Sequence, residues 1–418
     1  MEERIMYRTL LLILVLLFTV CLAGCYDLKE VDQRAYVIAM GLDKSERENQ
    51  LKITYIIANP EVGSLVGGST DEPPQETITV HSSDFITAKN TANTVVSKQL
   101  TYEMLQIMVV SEELASRKDF IRWFYDTTKD REIRRDTYLA ISKEDASEYL
   151  QNNKPQLETR PHKYFQFMIT RGVETGMLPD STFHRFYEIT EQDADLFLAI
   201  YTTSKPAKDP PARHEDEYMA GEVNAKGDAN KTQFAGAAVF KEGVMIGKLN
   251  GQETRIASVL DETTDIKDVL STIHDPFNKE YRLAVRILKK QNNEVTMNLE
   301  KSTPEIRIKV PLVVDVLSDR SMVDYTKDTR KREILRRQIK VDFEREYNGL
   351  IAKSQQEFKG CPFPLSLDAR KYFLTIKEYK NFDWMKTYPD MDIHVTVNIF
   401  FTGFGKQTKV PNIKHMRD

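Results

Sequence analysis

The fold class is decided by the stretch Met391-Asp392-Ile393-His394-Val395-Thr396-Val397-Asn398-Ile399-Phe400-Phe401. Apolar and polar side chains alternate along it, and the polar positions are Asp392, His394, Thr396 and Asn398. Because successive side chains of a strand point to opposite faces, this segment is predicted to be a β-strand with one buried face and one polar face. The chain therefore contains a sheet that packs one of its faces on a core.

The residues before this strand continue the same architecture. Alternating segments predict an antiparallel sheet with one face solvated or covered by helices, at residues 281–288, 295–299 and 306–317. Two helix candidates follow, residues 328–359, which stop at Gly360 and Pro362, and residues 368–379. A β-hairpin opens this half of the chain, at residues 234–240 and 244–249.

The first half of the chain alternates strands with helices. Strands are predicted at residues 35–40, 51–58, 77–80, 105–110, 137–142 and 196–201. Ser83 or Asp84 is placed to cap a helix over residues 85–100, and Ser111 begins a helical region that reaches Phe124. This order of elements, with hairpins among the crossovers, predicts an α+β or mixed α/β class with mixed, largely antiparallel sheets flanked by helices.

The composition changes between the two halves. Residues 202–232 are polar, contain Asp209-Pro210-Pro211 and have almost no large apolar side chain, so they are predicted to form a linker or a long exposed loop. We therefore divide the 418 residues into five parts. They are a signal peptide at 1–24, an N-terminal domain of one or two subdomains at 25–203, a linker at 204–233, a C-terminal domain at 234–405 and a tail at 406–418.

The N-terminus carries the pattern Leu22-Ala23-Gly24-Cys25 after an apolar run that begins at Leu10. A short apolar run that ends on small residues before a cysteine is typical of a bacterial lipoprotein signal, with cleavage between Gly24 and Cys25 and lipid on the Cys25 sulfur. The alternatives are a short membrane anchor and a plain secreted signal. The run is about half of the roughly 20 apolar residues that cross a bilayer, which favours the lipoprotein interpretation.

The charge and the cysteine content limit which partners and which covalent bonds are expected. The net charge of −4 gives no reason to expect a nucleic acid partner. Of the three cysteines, Cys21 leaves with the signal and Cys25 takes the lipid, so no intramolecular disulfide is expected. Cys361 is then either a nucleophile or, as we favour, a small buried side chain.

No catalytic motif stands out. The seven histidines are scattered without zinc-ligand spacing, and neither a Gly-x-Ser-x-Gly elbow nor a Cys-x-x-Cys pair occurs. His394 lies on the polar face of the last strand and is interpreted as an exposed strand residue. These observations favour a structural or binding role with no enzymatic activity, metal or cofactor. They leave open a site assembled from distant residues, and they identify no ligand-binding residue.

Three islands of sequence together resemble the C subunit of spore germinant receptors, the Ger(x)C lipoprotein family. They are Gly24 to Glu30 with Gly41-Leu42-Asp43, then 236–255, then 384–403. Tyr26 stands where the family usually has tryptophan. The segment Cys361-Pro362-Phe363-Pro364-Leu365-Ser366 replaces an acidic residue and a Gly-Phe-Gly segment, which puts any shared backbone role of that loop in doubt.

The resemblance implies an elongated, multi-domain, non-enzymatic lipoprotein. Cys25 would carry an S-diacylglyceryl group and an N-acyl chain such as palmitate, and would tether the protein to the outer face of the spore inner membrane. Two integral membrane subunits, A and B, would be its partners in a receptor that responds to small nutrients. The main alternative is a membrane-anchored solute-binding lipoprotein of a transporter. An anchored surface hydrolase is the weakest hypothesis, because no residue can be nominated for it.

Overall fold

The computed structural model describes residues 2–22, 33–58, 75–192, 194–214 and 216–405. Within these ranges the chain forms two sheets and three hydrophobic cores. The predicted fold class, α+β with mixed sheets flanked by helices in an elongated two-domain arrangement, is confirmed.

The first sheet has nine strands in the order β3-β2-β1-β5-β6-β7-β8-β9, with β4 beside β1. They are β1 (Arg34–Lys44), β2 (Leu51–Ala58), β3 (Gln75–Ser82), β4 (Gln99–Thr101), β5 (Ile107–Ser111), β6 (Tyr138–Ser142), β7 (Phe197–Thr203), β8 (Gln233–Lys241) and β9 (Val244–Leu249). Strands β1, β5, β6 and β7 are parallel, and antiparallel hairpins flank them on both sides. Parallel strands are covered on both faces, and β7 accordingly is buried along its whole length.

The helices of the first half cover this sheet. They are α2 (Phe85–Ala92), α3 (Glu112–Ala115), α4 (Phe120–Tyr125), α5 (Ala146–Asn152), α6 (Pro161–Glu174) and α7 (Phe183–Gln192), and α1 (Glu2–Leu22) precedes the sheet. Strand β1 contributes to cores on both faces of the sheet: Val37 and Met40 pack with the core that contains α2, α4 and α7, whereas Ile38 and Ala39 pack with that of α5 and α6. The register of β1 shifts between Val37 and Ala39, so two successive residues enter the same core.

The second sheet contains the stretch from which the fold class was inferred. Its strands are β10 (Val269–His274), β11 (Arg282–Leu288), β12 (Glu294–Asn298), β13 (Glu305–Ser318) and β14 (Asp392–Gly403). The alternation of β14 is confirmed, since Ile393, Val395 and Val397 are buried and the residues between them are exposed. Strand β14 joins β13 in parallel, and the other pairs of this sheet are antiparallel.

The helices of the second half are α8 (Gly251–Leu260), α9 (Thr329–Lys353), α10 (Leu365–Ala369), α11 (Ile376–Phe382) and α12 (Trp384–Thr387). Helix α9 packs on the apolar face of β14 through Leu335, Ile339, Phe343 and Tyr347. The predicted helix over 328–359 is therefore present, and a single π turn (Ser354–Phe358) ends it before Gly360.

The first sheet continues past the segment predicted to be a linker. Strand β8 begins at Gln233 and pairs with β7, so that Ala199 lies opposite Ala238. The described residues of 204–232 form neither helix nor strand, yet they are attached: Asp216 accepts hydrogen bonds from Ser271 Oγ at 2.6 Å and from the Thr272 N–H at 3.0 Å. This segment is a docked loop because its buried carboxylate has partners on the second sheet.

Two predicted helices are wrong in their extent. The helix expected over 85–100 ends at Ala92, because Leu100 is taken into β4 and packs in the core. The helix expected over 368–379 is broken between α10 and α11, where Thr375 and Glu378 form a capping box that starts a new helix. Helix α8 and strand β10 were not predicted.

Candidate functional site

The predicted lipidation and cleavage residues, Gly24 and Cys25, lie outside the described residues. Helix α1 ends just before them at Leu22. Among the described residues, no helix combines the length and apolar character needed to span a bilayer. The lipid anchor therefore stays a prediction from the sequence.

Cys361 and His394, the two residues weighed for chemistry, lie in different settings. The Cys361 thiol is fully buried, and burial raises its pKa well above the usual value, so it is protonated and a poor nucleophile. His394 is exposed on β14, and its Nε2 lies 3.0 Å from Asp392 Oδ1. The described part of the chain holds no cluster of three or more potential metal ligands.

The second and third islands meet at the contact between the two sheets, which we call the seam. It joins β7, β8, β9 and α8 to residues 353–366 and 384–391. Leu196 and Val239 of the first sheet share one core with Phe358 and Met385 of the second half. The seam is therefore a continuous apolar contact between the first sheet and the elements that pack on the second sheet.

Two glycines of the second island allow close approach: Gly247 across the seam, and Gly236 between β8 and β9. A Cβ on Gly247 would lie 2.5 Å from Phe358 Cε1, and Phe358 is buried. Gly236 has φ +83°, and a Cβ there would lie 2.5 Å from the carbonyl oxygen of Leu249. These positions accept only glycine without rearrangement.

Polar side chains and backbone groups also form contacts across the seam. Lys353 Nζ, at the end of α9, lies 2.8 Å from Glu253 Oε1, and Glu253 with Asn250 forms the capping box that starts α8. Lys241 Nζ donates to the carbonyl of Lys359 at 2.9 Å, and the Leu196 N–H donates to the carbonyl of Cys361 at 2.7 Å. Each bond links the first sheet, the residue before β7 or α8 to the part of the chain between β13 and β14.

A buried carboxyl lies at the centre of the seam. Asp195 Oδ2 accepts a hydrogen bond from Ser366 Oγ at 2.5 Å. Burial raises the pKa of Asp195 to about 7, although the hydrogen bonds from Ser366 oppose the shift. A neutral carboxyl is the form that a dry environment favours.

The crevices beside Asp195 are small. Arg185 Nη2 lies 2.5 Å from Asp261 Oδ2, and Arg185 Nη1 donates to Thr263 Oγ1 at 2.6 Å. The two crevices that Arg185 borders measure about 20 Å³ and 60 Å³. Such volumes admit water molecules and are much smaller than the pockets that enclose small-molecule ligands.

Two residues of the first island, Gly41 and Asp43, contact helix α5. Asp43 is buried, and its two carboxylate oxygens accept the N–H groups of Ala146 at 2.6 Å and Ser147 at 2.9 Å, at the start of α5. Gly41 leaves space for that helix, since a Cβ would lie 2.8 Å from Leu150 Cδ1. No sequence pattern assigned a role to Gly41 or Asp43, and none pointed to Asp195 or Lys353. The capping pattern Asn250-x-x-Glu253 was a usable signal.

Two family models match the chain in order: the spore germination protein N-terminal domain at residues 27–203, and the spore germination B3/GerAC-like C-terminal domain at residues 235–405. The chain belongs to this Ger(x)C family of germinant-receptor C subunits.

Relatives in Bacillus subtilis (strain 168) agree with this assignment. Spore germination protein KC is 30% identical over 118 residues, which are 27% of this chain and 29% of that relative, so the match spans less than a third of it. Spore germination protein B3 is 19% identical over 92% of this chain and 95% of its own length. The crystal structure of the GerBC protein has the same fold, with a TM-score of 0.53, 16% identity, and coverage of 90% of this chain and 99% of that one.

Proposed function

We propose that this chain is the lipid-anchored, non-enzymatic C subunit of a nutrient germinant receptor, on the outer face of the spore inner membrane. The observation that carries the proposal is the order of features along the chain. The Leu22-Ala23-Gly24-Cys25 pattern comes directly before the first of two germination-protein domains. A secreted domain that begins at an acylated cysteine stays on the membrane surface.

Lipid on Cys25 gives the tether its strength. One acyl chain holds a protein only marginally, whereas two chains, at about 0.8 kcal/mol per buried CH₂, hold it stably. The partners we propose are two integral membrane subunits, A and B, because a surface subunit needs membrane-embedded partners to pass a signal across the bilayer.

Several polar side chains are bound to structural partners within the protein, and this supports a non-enzymatic role. Glu253, Lys353 and Asp43 serve helix caps and the seam, and Arg185 is paired with Asp261. The alternative of a solute-binding lipoprotein requires a cleft between domains that encloses its ligand, and the seam crevices at Arg185 are too small for that role. Calorimetry with candidate nutrients would support that alternative if it found tight, stoichiometric binding.

Two variants test the anchor. Cys25→Ala removes the lipid acceptor and is expected to release the chain from the spore inner membrane and to weaken germination. Cys21→Ala is the matched control, since it changes another cysteine of the same signal outside the acceptor position. Normal retention and germination of the Cys25→Ala spores would contradict the proposal. A pull-down of the lipidated protein is expected to recover two polytopic membrane subunits, and recovery of transporter subunits would contradict it as well.

A further inference from the structure

The break between α10 and α11 projects apolar side chains into solvent. Residues 370–377, which we call the apolar tip, contain Leu374, 95% exposed, Ile376, 76% exposed, and Tyr372, 44% exposed. Single exposed leucines are ordinary, but apolar residues grouped at one protrusion mark an interaction surface.

The apolar tip is held in this shape by its own contacts. The Phe373 ring packs against Tyr379 and Phe382, with ring centroids 5.5 Å and 5.3 Å away. Glu378 Oε2 accepts the Leu374 N–H at 3.0 Å, and Thr375 Oγ1 accepts the Glu378 N–H at 3.2 Å. The capping box fixes the backbone on both sides of Leu374, so its exposure is a built feature.

Basic side chains surround these apolar residues. Between residues 370 and 380 the chain carries the bases Arg370, Lys371, Lys377 and Lys380, all exposed, and the single acid Glu378, whose carboxylate is engaged in the cap. Exposed apolar residues beside Lys and Arg are the composition of protein surfaces that bind anionic bilayers.

The base of the apolar tip lies beside the end of the first sheet at which β1 and β7 begin. Arg370 Nη2 donates to Gln192 Oε1 at 2.7 Å, and Gln192 ends α7, just before β7. Strands β1 and β7 are parallel and three strand spacings apart, about 15 Å, so both begin at the same edge of the sheet. Arg34 is nine residue steps after Cys25, a reach of up to roughly 30 Å. A lipid on Cys25 and the apolar tip can therefore meet one membrane.

We propose that the apolar tip inserts Leu374 and Ile376 into the bilayer that holds the lipid anchor, with Lys377 at anionic phospholipid headgroups. This inference rests on the proposed function, because it needs a membrane beside the chain. A convex protrusion with its leucine almost fully exposed suits a bilayer, which deforms around it, better than a protein partner, which would need a matching cavity. The second contact would set the orientation of the receptor subunit on the membrane.

The test places a fluorophore on the tip. In the lipidated full-length protein Cys25 is blocked and Cys361 is buried, so Leu374→Cys takes a nitrobenzoxadiazole label at one position. The matched control is Leu157→Cys, another fully exposed leucine, which lies between α5 and α6. Asn152 of α5 contacts Ser204 at the opposite end of β7. Both proteins are reconstituted on vesicles of phosphatidylethanolamine and phosphatidylglycerol and recovered by flotation.

We expect the label at 374 to shift to the blue, to brighten severalfold and to be quenched by brominated lipid, while the label at 157 stays in water. A water-exposed label at 374 on floated protein would overturn the inference. So would a label that is shielded in spore membranes but not on pure vesicles, since a protein would then cover the tip.

Labelling of the parent chain, which has no introduced cysteine, distinguishes a failure of the tip inference from a failure of the proposed anchor. If the parent chain takes up label at Cys25, the proposed anchor is wrong. The tip contact is then tested with the chain that carries no lipid. In that case, cosedimentation with the phosphatidylglycerol vesicles that is lost in Leu374→Asn/Ile376→Asn would uphold the tip contact. Lys377→Gln is expected to weaken it about fivefold, at roughly 1 kcal/mol per basic residue. Equal binding of all variants would overturn it.

Discussion

Asp195, just before β7, accepts a hydrogen bond from Ser366 of α10 at 2.5 Å, and it does so from a position closed to solvent. The bond joins the residues just before β7 to the segment that follows α9. Because Asp195 is a buried carboxyl group in this contact, the strength of the seam depends on its protonation.

The first prediction concerns pH. The folded chain raises the pKa of Asp195 from 3.8 to about 7, so between these values the folded state binds more protons than the unfolded state. The free energy of unfolding must then fall as the pH rises through this window. At about 1.4 kcal/mol per pKa unit, the loss reaches about 4 kcal/mol above pH 7.

Asp195→Asn cannot lose a proton, so we expect a smaller loss of stability between about pH 5 and pH 8.5 than in the wild type. Urea denaturation of the purified chain at both pH values measures the difference. The free energy of unfolding of Asp195→Asn will still fall somewhat as the pH rises, because burial raises the pKa of Glu346 on α9 to about 7 as well. Identical slopes in variant and wild type would show that Asp195 is ionised in the folded protein.

A second prediction contrasts two glycines. Gly247→Ala should destabilise the chain by about 1–3 kcal/mol, because the new methyl group meets the buried Phe358 ring at the seam. Gly349→Ala is the matched control, since no atom lies within 4 Å of the Cβ position on this exposed residue of α9. Alanine in a helix interior should stabilise by about 0.5–1 kcal/mol. Thermal unfolding of both variants tests the sign of each change, and equal effects would contradict a closed seam.

A third prediction concerns the ion pair between α8 and α9. Lys353→Met removes the charge that lies 2.8 Å from Glu253 Oε1 and leaves the capping box of α8 intact. We expect a loss of about 1 kcal/mol, because the pair is only partly exposed to solvent. A double-mutant cycle with Glu253→Gln isolates the coupling energy. A coupling near zero would mean that solvent screens the pair.

A fourth prediction concerns Asp43 of the first island. Asp43→Ala should cost about 2 kcal/mol, because it leaves the first N–H groups of α5 without their buried acceptor. Asp43→Asn keeps one acceptor oxygen and should recover part of the loss. Hydrogen exchange of the Ala146 and Ser147 amides reports the effect locally. Unchanged protection in Asp43→Ala would show that the cap is not needed.

Local patterns were sufficient for much of the fold. The alternating strand β14, the long helix α9 and the β8–β9 hairpin were predicted close to their observed bounds, because each depends on neighbours a few residues apart. The break before Thr375 was missed although its capping pattern is present, since a continuous apolar stripe also fits a single helix. The site was predicted far less well: no local pattern marks Asp195 as buried or pairs Lys353 with Glu253.

The fold class, the two halves of the chain, the family resemblance and the predicted lipid acceptor Cys25 could be inferred from the sequence, because periodicity and short motifs are properties of adjacent residues. Three features required the tertiary structure: β8 and β9 extend the first sheet, Asp195 is buried against Ser366, and Leu374 protrudes into solvent. Burial, pKa and the direction of a protrusion arise from residues that are distant in the chain and adjacent only in space.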